Sequence, residues 1–224
     1  MANKTAVVLG STGLVGNELV NLLVESSHYT KVKIITRRKL SGQESDKVEQ
    51  VLIQNLDDLE SFSSRLSGDD YYCAIGTTIK KAGSKEAFSK VDHDYPISFA
   101  KVALSHPSFS QYLIVTAAGS DPKSSIFYNK VKGQVEKALM ELKLPSLSVF
   151  RPTLLLGDRS EYRFGEVVMT GIVKVFTFFL SEKSSAVIAI QAEAVANAML
   201  KVAATGKSGI NAYSSKEMVG LARK

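Results

Sequence analysis

The chain of 224 residues contains no tryptophan, one cysteine, three histidines and five prolines. A lone thiol, Cys73, forms no intramolecular disulfide and supplies no site built on several cysteines. The histidines, His28, His93 and His106, are too scattered for a zinc or haem constellation, so no metal is expected. The most apolar stretch, Val167 to Leu180, carries Lys174 and falls short of the roughly 20 residues a membrane-spanning helix needs. The opening MANKTAVVLG enters an apolar strand directly, without the hydrophobic region and cleavage site of a secretory signal. These absences predict a chain that starts at Met1, resides in a reducing compartment read as cytoplasmic, and has no membrane span.

What is present is an ordinary globular composition, 45% hydrophobic and 22% charged. The net charge is +6, but no basic block exceeds Arg37-Arg38-Lys39, which excludes an obvious nucleic-acid groove and leaves acidic or phosphate-bearing small ligands. β-rich apolar runs at 5–9, 32–35, 48–52, 71–75, 111–116 and 146–150 alternate with helix-length segments at 14–26, 57–66, 84–105 and 126–143. That rhythm predicts a Rossmann-like α/β fold, a doubly wound parallel sheet with helices on both faces. The first strand is apolar at successive positions and is therefore expected at the centre.

After Arg151 the rhythm changes. A charged stretch leads to a very apolar helix near 166–180, a strand at 186–190, a helix at 191–204 and a short strand and helix at the end. These are too few residues for a separate core. The expectation is one NAD(P)-binding domain over 1–224, with 151–224 contributing small substrate-side cap elements.

Gly10-Ser11-Thr12-Gly13-Leu14-Val15-Gly16 follows the first strand and opens a helix. Such a loop needs its first glycine for the tight turn, its second so that backbone approaches a diphosphate, and its third for close packing of helix on strand. No Gly-Lys-Ser/Thr ending follows, which excludes a triphosphatase-type loop. The second strand ends Thr36-Arg37-Arg38-Lys39, with no carboxylate before Glu44 to hold an unphosphorylated ribose. Arg37, helped by Arg38 or Lys39, would instead favour the 2′-phosphate of NADP(H), with NAD the second choice.

Tyr128 and Lys132 lie one turn apart on a predicted helix, so they share a face. An ammonium beside a phenol favours the phenolate and brings proton transfer toward neutral pH, the chemistry that carbonyl reduction needs. Tyr29 and Lys33 repeat the spacing but lead into a strand. Cys73, inside a strand, reads as an inert buried thiol.

With these features the sequence resembles the atypical branch of the short-chain dehydrogenase/reductase superfamily, and within it the Tat-interactive oxidoreductase-like proteins. The segments CAIGTTIKKAGSKEAFSKVDHDYP, SSIFYNKVKGQVEKAL and LSVFRPTLLLGDR carry the resemblance. It implies that Ala74, Ile75, Gly76 and Thr77 face the cofactor ribose and that Asp92 stands where many relatives have asparagine. Leu56 would touch adenine, and Arg151, Pro152, Thr153, Leu154 and Leu155 would border nicotinamide and substrate. Core packing accounts equally well for the hydrophobic members. Ala118 occupies the position where the superfamily places a substrate-orienting hydroxyl, which leaves Thr116 or Ser120 to substitute.

The expected function is NADP(H)-dependent hydride transfer to a small carbonyl, alcohol or quinone-like substrate, apolar or acidic, by a monomer or homodimer. The alternative is an NADP(H)-binding sensor that engages a protein partner with weak or no catalysis. Asp158, Arg159 and Arg163 are weaker candidates for substrate contact.

Overall fold

The computed structural model describes residues 3–41, 45–157 and 189–223. The expected helix at 166–180, most of the strand at 186–190, and Asp158, Arg159 and Arg163 lie outside the described residues.

Strands β1 (Lys4–Leu9), β2 (Tyr29–Thr36), β3 (Val48–Leu52), β4 (Asp70–Cys73), β5 (Gln111–Val115) and β6 (Ser146–Arg151) form one sheet with a strand at Gly209–Ser214. Strands β7 (Leu154–Leu156) and β8 (Ala189–Gln191) pair separately, and Gly209–Ser214 is β9. The principal sheet runs β3-β2-β1-β4-β5-β6-β9 with every neighbour parallel. β1 is internal as expected, with Ala6, Val7 and Val8 fully buried. Its register, Val8 opposite both Ile34 and Tyr72, places the strand-order reversal between β1 and β4. A ligand crevice forms at such a reversal, outside the carboxyl ends of the strands.

Two cores flank the sheet. On one face α1 (Leu14–Glu25) packs with Leu19, Val20 and Leu23 against α6 (Ala192–Thr205), through Val195, Met199 and Val202, and Met218 of α7 (Ser215–Ala222) joins them. On the other face lie a 3-10 segment (Leu56–Leu66), α4 (Tyr95–Leu104) and α5 (Phe127–Glu141). Each fully buried aliphatic side chain here contributes about 1.5–3 kcal/mol. Segment 189–223 therefore belongs largely to the principal sheet and its covering layer. β9 pairs with β6 from Ser146–Gly209 to Arg151–Ser214.

The segment expected as one helix over 84–105 is broken. Short helices α2 (Ile79–Ala82) and α3 (Lys85–Ser89) precede a π-helical turn at Lys90–Asp94, where the Tyr95 amide donates to the Lys90 carbonyl. Pro96 is the cause that sequence supplies: it has no N–H to return to the carbonyl of residue 92, so the regular ladder fails at that point. The wide turn buries Asp92, which is 1% exposed. α5 ends at Glu141, ahead of Lys143 at φ 53° and Pro145.

Candidate functional site

The junction of β1 and α1 forms one wall of the crevice. Gly10 has φ 97°, and a Cβ there would stand 2.5 Å from the Ala74 carbonyl carbon and from the Ile75 nitrogen. The glycine thus permits both the turn and the close approach of the β4 loop. A Cβ at Gly16 would collide with the Gly10 carbonyl oxygen, so this residue lets α1 close onto the loop. Gly13 caps α1 without a side-chain hydrogen bond, and the first turn carries no acidic residue. That helix end suits an anion. Thr12 is exposed, Leu14 packs at the edge of the core, and the Val15 side chain is buried within it.

The residues fit a dinucleotide on a second count. The hydroxyls of Ser11, in the loop, and Thr36, at the carboxyl end of β2, are buried with no hydrogen-bond partner among the described residues. Orphaned hydroxyls are costly, and the oxygens of a phosphate or ribose would satisfy them. Arg37 and Arg38 follow Thr36 and are exposed at the same edge. Leu56 opens the 3-10 segment and packs, with Ile75, against the second core.

The opposite wall holds the chemistry. Beyond β4, the Thr77 amide donates to Asp92 Oδ2 at 2.9 Å, and Asp92 Oδ1 lies 2.7 Å from Lys132 Nζ. Both side chains of that ion pair are buried, the lysine to 6% exposure. A Cβ at Gly76 would stand 3.3 Å from Asp92 Oδ1 and 4.0 Å from Lys132 Nζ, so the β4 loop passes directly over the pair. Tyr128 precedes Lys132 by one turn, rests its ring 5.8 Å from that of Phe88, and is 37% exposed.

Although the side chain as a whole is 37% exposed, packing around the Tyr128 hydroxyl takes water from it and pushes it above the ordinary tyrosine range; the Lys132 charge pulls it down and the Asp92 charge pushes it up. The Lys132 contribution has the expected sign, but desolvation outweighs it and Asp92 opposes it. Burial would lower the Lys132 ammonium, yet Asp92 and Tyr128 together hold it above its usual value. Cys73 beneath the pair is buried, and its thiol is raised to about 11 chiefly by desolvation, in keeping with an inert role.

The remaining candidates are turned to other partners. Thr116 is buried, and its hydroxyl donates to Glu136 Oε1 at 2.6 Å. The buried Glu136 carboxylate thus holds this hydroxyl together with the Arg151 guanidinium. The Arg151 guanidinium spans both Glu136 oxygens, with Nη2 2.5 Å from Oε2. Ser120 donates to the Ala117 carbonyl at 2.7 Å. The Thr153 amide donates to Ser215 Oγ at 2.9 Å. Pro152 is buried and accepts from the Ala118 amide, while Leu154 and Leu155 lie in β7.

Glu136 is the residue that sequence reasoning missed. Its spacing, one turn beyond Lys132 on the helix that carries Tyr128, was the available signal. Thr116→Val is expected to destabilise the fold by about 1–3 kcal/mol, since the carboxylate loses a buried donor, while kcat changes by less than about fivefold. Urea titration alongside steady-state kinetics checks both; a loss of turnover without a loss of stability would return Thr116 to the substrate.

The crevice and its glycine loop define an NAD(P)-binding oxidoreductase fold of the Rossmann class. The chain is 37% identical over 169 residues to rat HTATIP2, covering 74% of this chain and 69% of that protein. It is 33% identical over 157 residues to the mitochondrial protein FMP52-1 of Scheffersomyces stipitis, covering 69% of each. The chain belongs to the HTATIP2 and FMP52 family, with an atypical short-chain dehydrogenase/reductase fold. No protein-family model matches it. Among solved structures, Bordetella bronchiseptica WbmF with NAD+ superposes with TM-score 0.68 at 17% identity, over 99% of this chain and 77% of that one. Human SDR39U1 with NADPH gives 0.62 at 14% identity, over 94% and 73%. The cytoplasmic expectation is corrected by the fungal relatives, which are named mitochondrial. Among the described residues no helix is long and apolar enough to cross a membrane.

Proposed function

We propose that this protein is an NADPH-dependent oxidoreductase that transfers hydride between nicotinamide and a small carbonyl, alcohol or quinone-like substrate. The observation that carries the reading is the Tyr128, Lys132 and Asp92 cluster, which adjoins the glycine crevice through the β4 loop. In this reading the loop from Gly10 to Gly16 holds the diphosphate, Ala74 to Thr77 and Lys132 hold ribose, and Leu56 borders adenine. Arg151 and the segment Pro152 to Leu155 flank the substrate side, where a recess of about 250 Å³ opens among Ala118, Arg151, Tyr213 and Glu217. The bound cofactor supplies the hydride. Tyr128 passes its proton to the substrate oxygen, and Lys132 stabilises the phenolate that remains.

NADPH consumption across a panel of aldehydes, ketones and quinones tests the reading. A protein that binds NADPH yet turns over none of them overturns it.

The solved relatives hold NAD+ in one case and NADPH in the other, so the preference rests on Arg37 and Arg38. Replacing both with alanine is expected to weaken NADPH binding about 10–100-fold, the cost of charge-assisted phosphate contacts, and NADH binding less than about twofold. Titration of the two cofactors against both proteins checks this; equal losses would remove the arginines from the 2′-phosphate.

A second reading is favoured by one observation: Thr116 and Ser120 both donate inward, and Ala118 has no hydroxyl. A protein lacking that orienting group would serve as an NADP(H) sensor whose affinity for a protein partner changes with the cofactor. Binding of the two ligands must then be reciprocally coupled.

A further inference from the structure

Asp92 divides its carboxylate between two elements. Oδ2 takes the Thr77 amide of the β4 loop, and Oδ1 takes the Lys132 ammonium at 2.7 Å, at a site where both side chains are all but excluded from water. The π-helical turn at Lys90–Asp94 carries it there, an irregularity that recurs at functional sites. An asparagine in this place would orient the lysine without countering its charge. An aspartate does both.

We propose that Asp92 is a positioning residue that fixes Lys132 beside Tyr128 and offsets the lysine's charge at the phenol, setting how readily Tyr128 gives up its proton. The inference rests on the reading of Tyr128 and Lys132 as the proton-transfer pair. The titratable groups facing the cluster are Tyr128 and Lys132 on α5, Asp92 on the π-helical turn, and the Cys73 thiol on β4. Cys73, with its ionisation displaced upward, is neutral at physiological pH. Near neutral pH the charge facing the phenol is therefore one ammonium balanced by one carboxylate. Removal of the carboxylate leaves the ammonium unopposed, and an unopposed cation favours the phenolate.

The test follows tyrosinate absorbance of the full-length protein as pH rises, with the same titration of Tyr128→Phe subtracted. The difference isolates one hydroxyl among the eight tyrosines. The Tyr128 midpoint is expected above the ordinary value of about 10, and in Asp92→Asn, referenced to Asp92→Asn/Tyr128→Phe, it is expected to fall by about one pH unit or more. An unmoved midpoint in folded Asp92→Asn overturns the proposal, since a carboxylate that merely braced the fold would give that result. Asp92→Asn also leaves a buried ammonium unpaired. If it does not fold, the wild-type difference titration decides alone, and a midpoint at or below about 10 overturns the proposal. No turnover is needed for this measurement, so failure of the parent reading shows separately, as unimpaired kinetics in Tyr128→Phe.

Discussion

Tyr128→Phe is expected to lower kcat for carbonyl reduction by about 10²- to 10⁴-fold, the usual contribution of a positioned general acid, with NADPH affinity changed by less than about twofold. Phenylalanine keeps the ring against Phe88 and removes only the hydroxyl, so packing is conserved. Lys132 and Asp92 also remain, which keeps the cofactor wall intact. Parallel measurement of kcat and cofactor dissociation separates proton transfer from binding. A fall in affinity with unchanged kcat would move Tyr128 from proton donor to binding residue.

Gly10→Ala is expected to abolish measurable cofactor binding and to destabilise the chain. The added methyl meets Ala74 and Ile75 backbone at 2.5 Å, where neither neighbour has a flexible side chain to yield. Overpacking of this kind costs about 1–3 kcal/mol, and the left-handed φ of 97° costs a comparable amount for a residue with a side chain. Either the loop opens or the β4 segment retreats, and both movements separate the two walls of the crevice. Thermal unfolding with and without NADPH checks the outcome: a lower Tm together with loss of the cofactor-induced rise. A variant that still gained stability from NADPH would show that the loop does not need this approach.

Much of the molecule was legible from residue patterns because those patterns report local and one-dimensional constraints. Successive apolar residues at 5–9 identify a strand covered on both sides, and β1 is that strand. The β3 boundaries at 48–52 and the start of α1 at Leu14 follow from alternation and from the glycine loop. The break in the 84–105 segment was marked by Pro96, but the burial of Asp92 that results from it was not, since a π-helical turn leaves no periodic trace. The buried cluster of Asp70 with Lys4, Tyr29 and Tyr72 at the amino edge of the sheet was equally silent. Its members are far apart in the chain and share no motif.

The sequence by itself determined the class of fold, the position of the glycine turn and the pairing of Tyr128 with Lys132, because each depends on neighbours a few residues away. Tertiary structure alone decided the electrostatic character of that pair. Asp92 reaches Lys132 across 40 positions of chain, and burial raises the Tyr128 hydroxyl against the pull of Lys132. Thr116 and Arg151 likewise meet at Glu136, 20 and 15 positions away in the chain. A carboxylate buried away from water takes the nearest donors, and which donors are nearest is settled only when the strands and helices have packed.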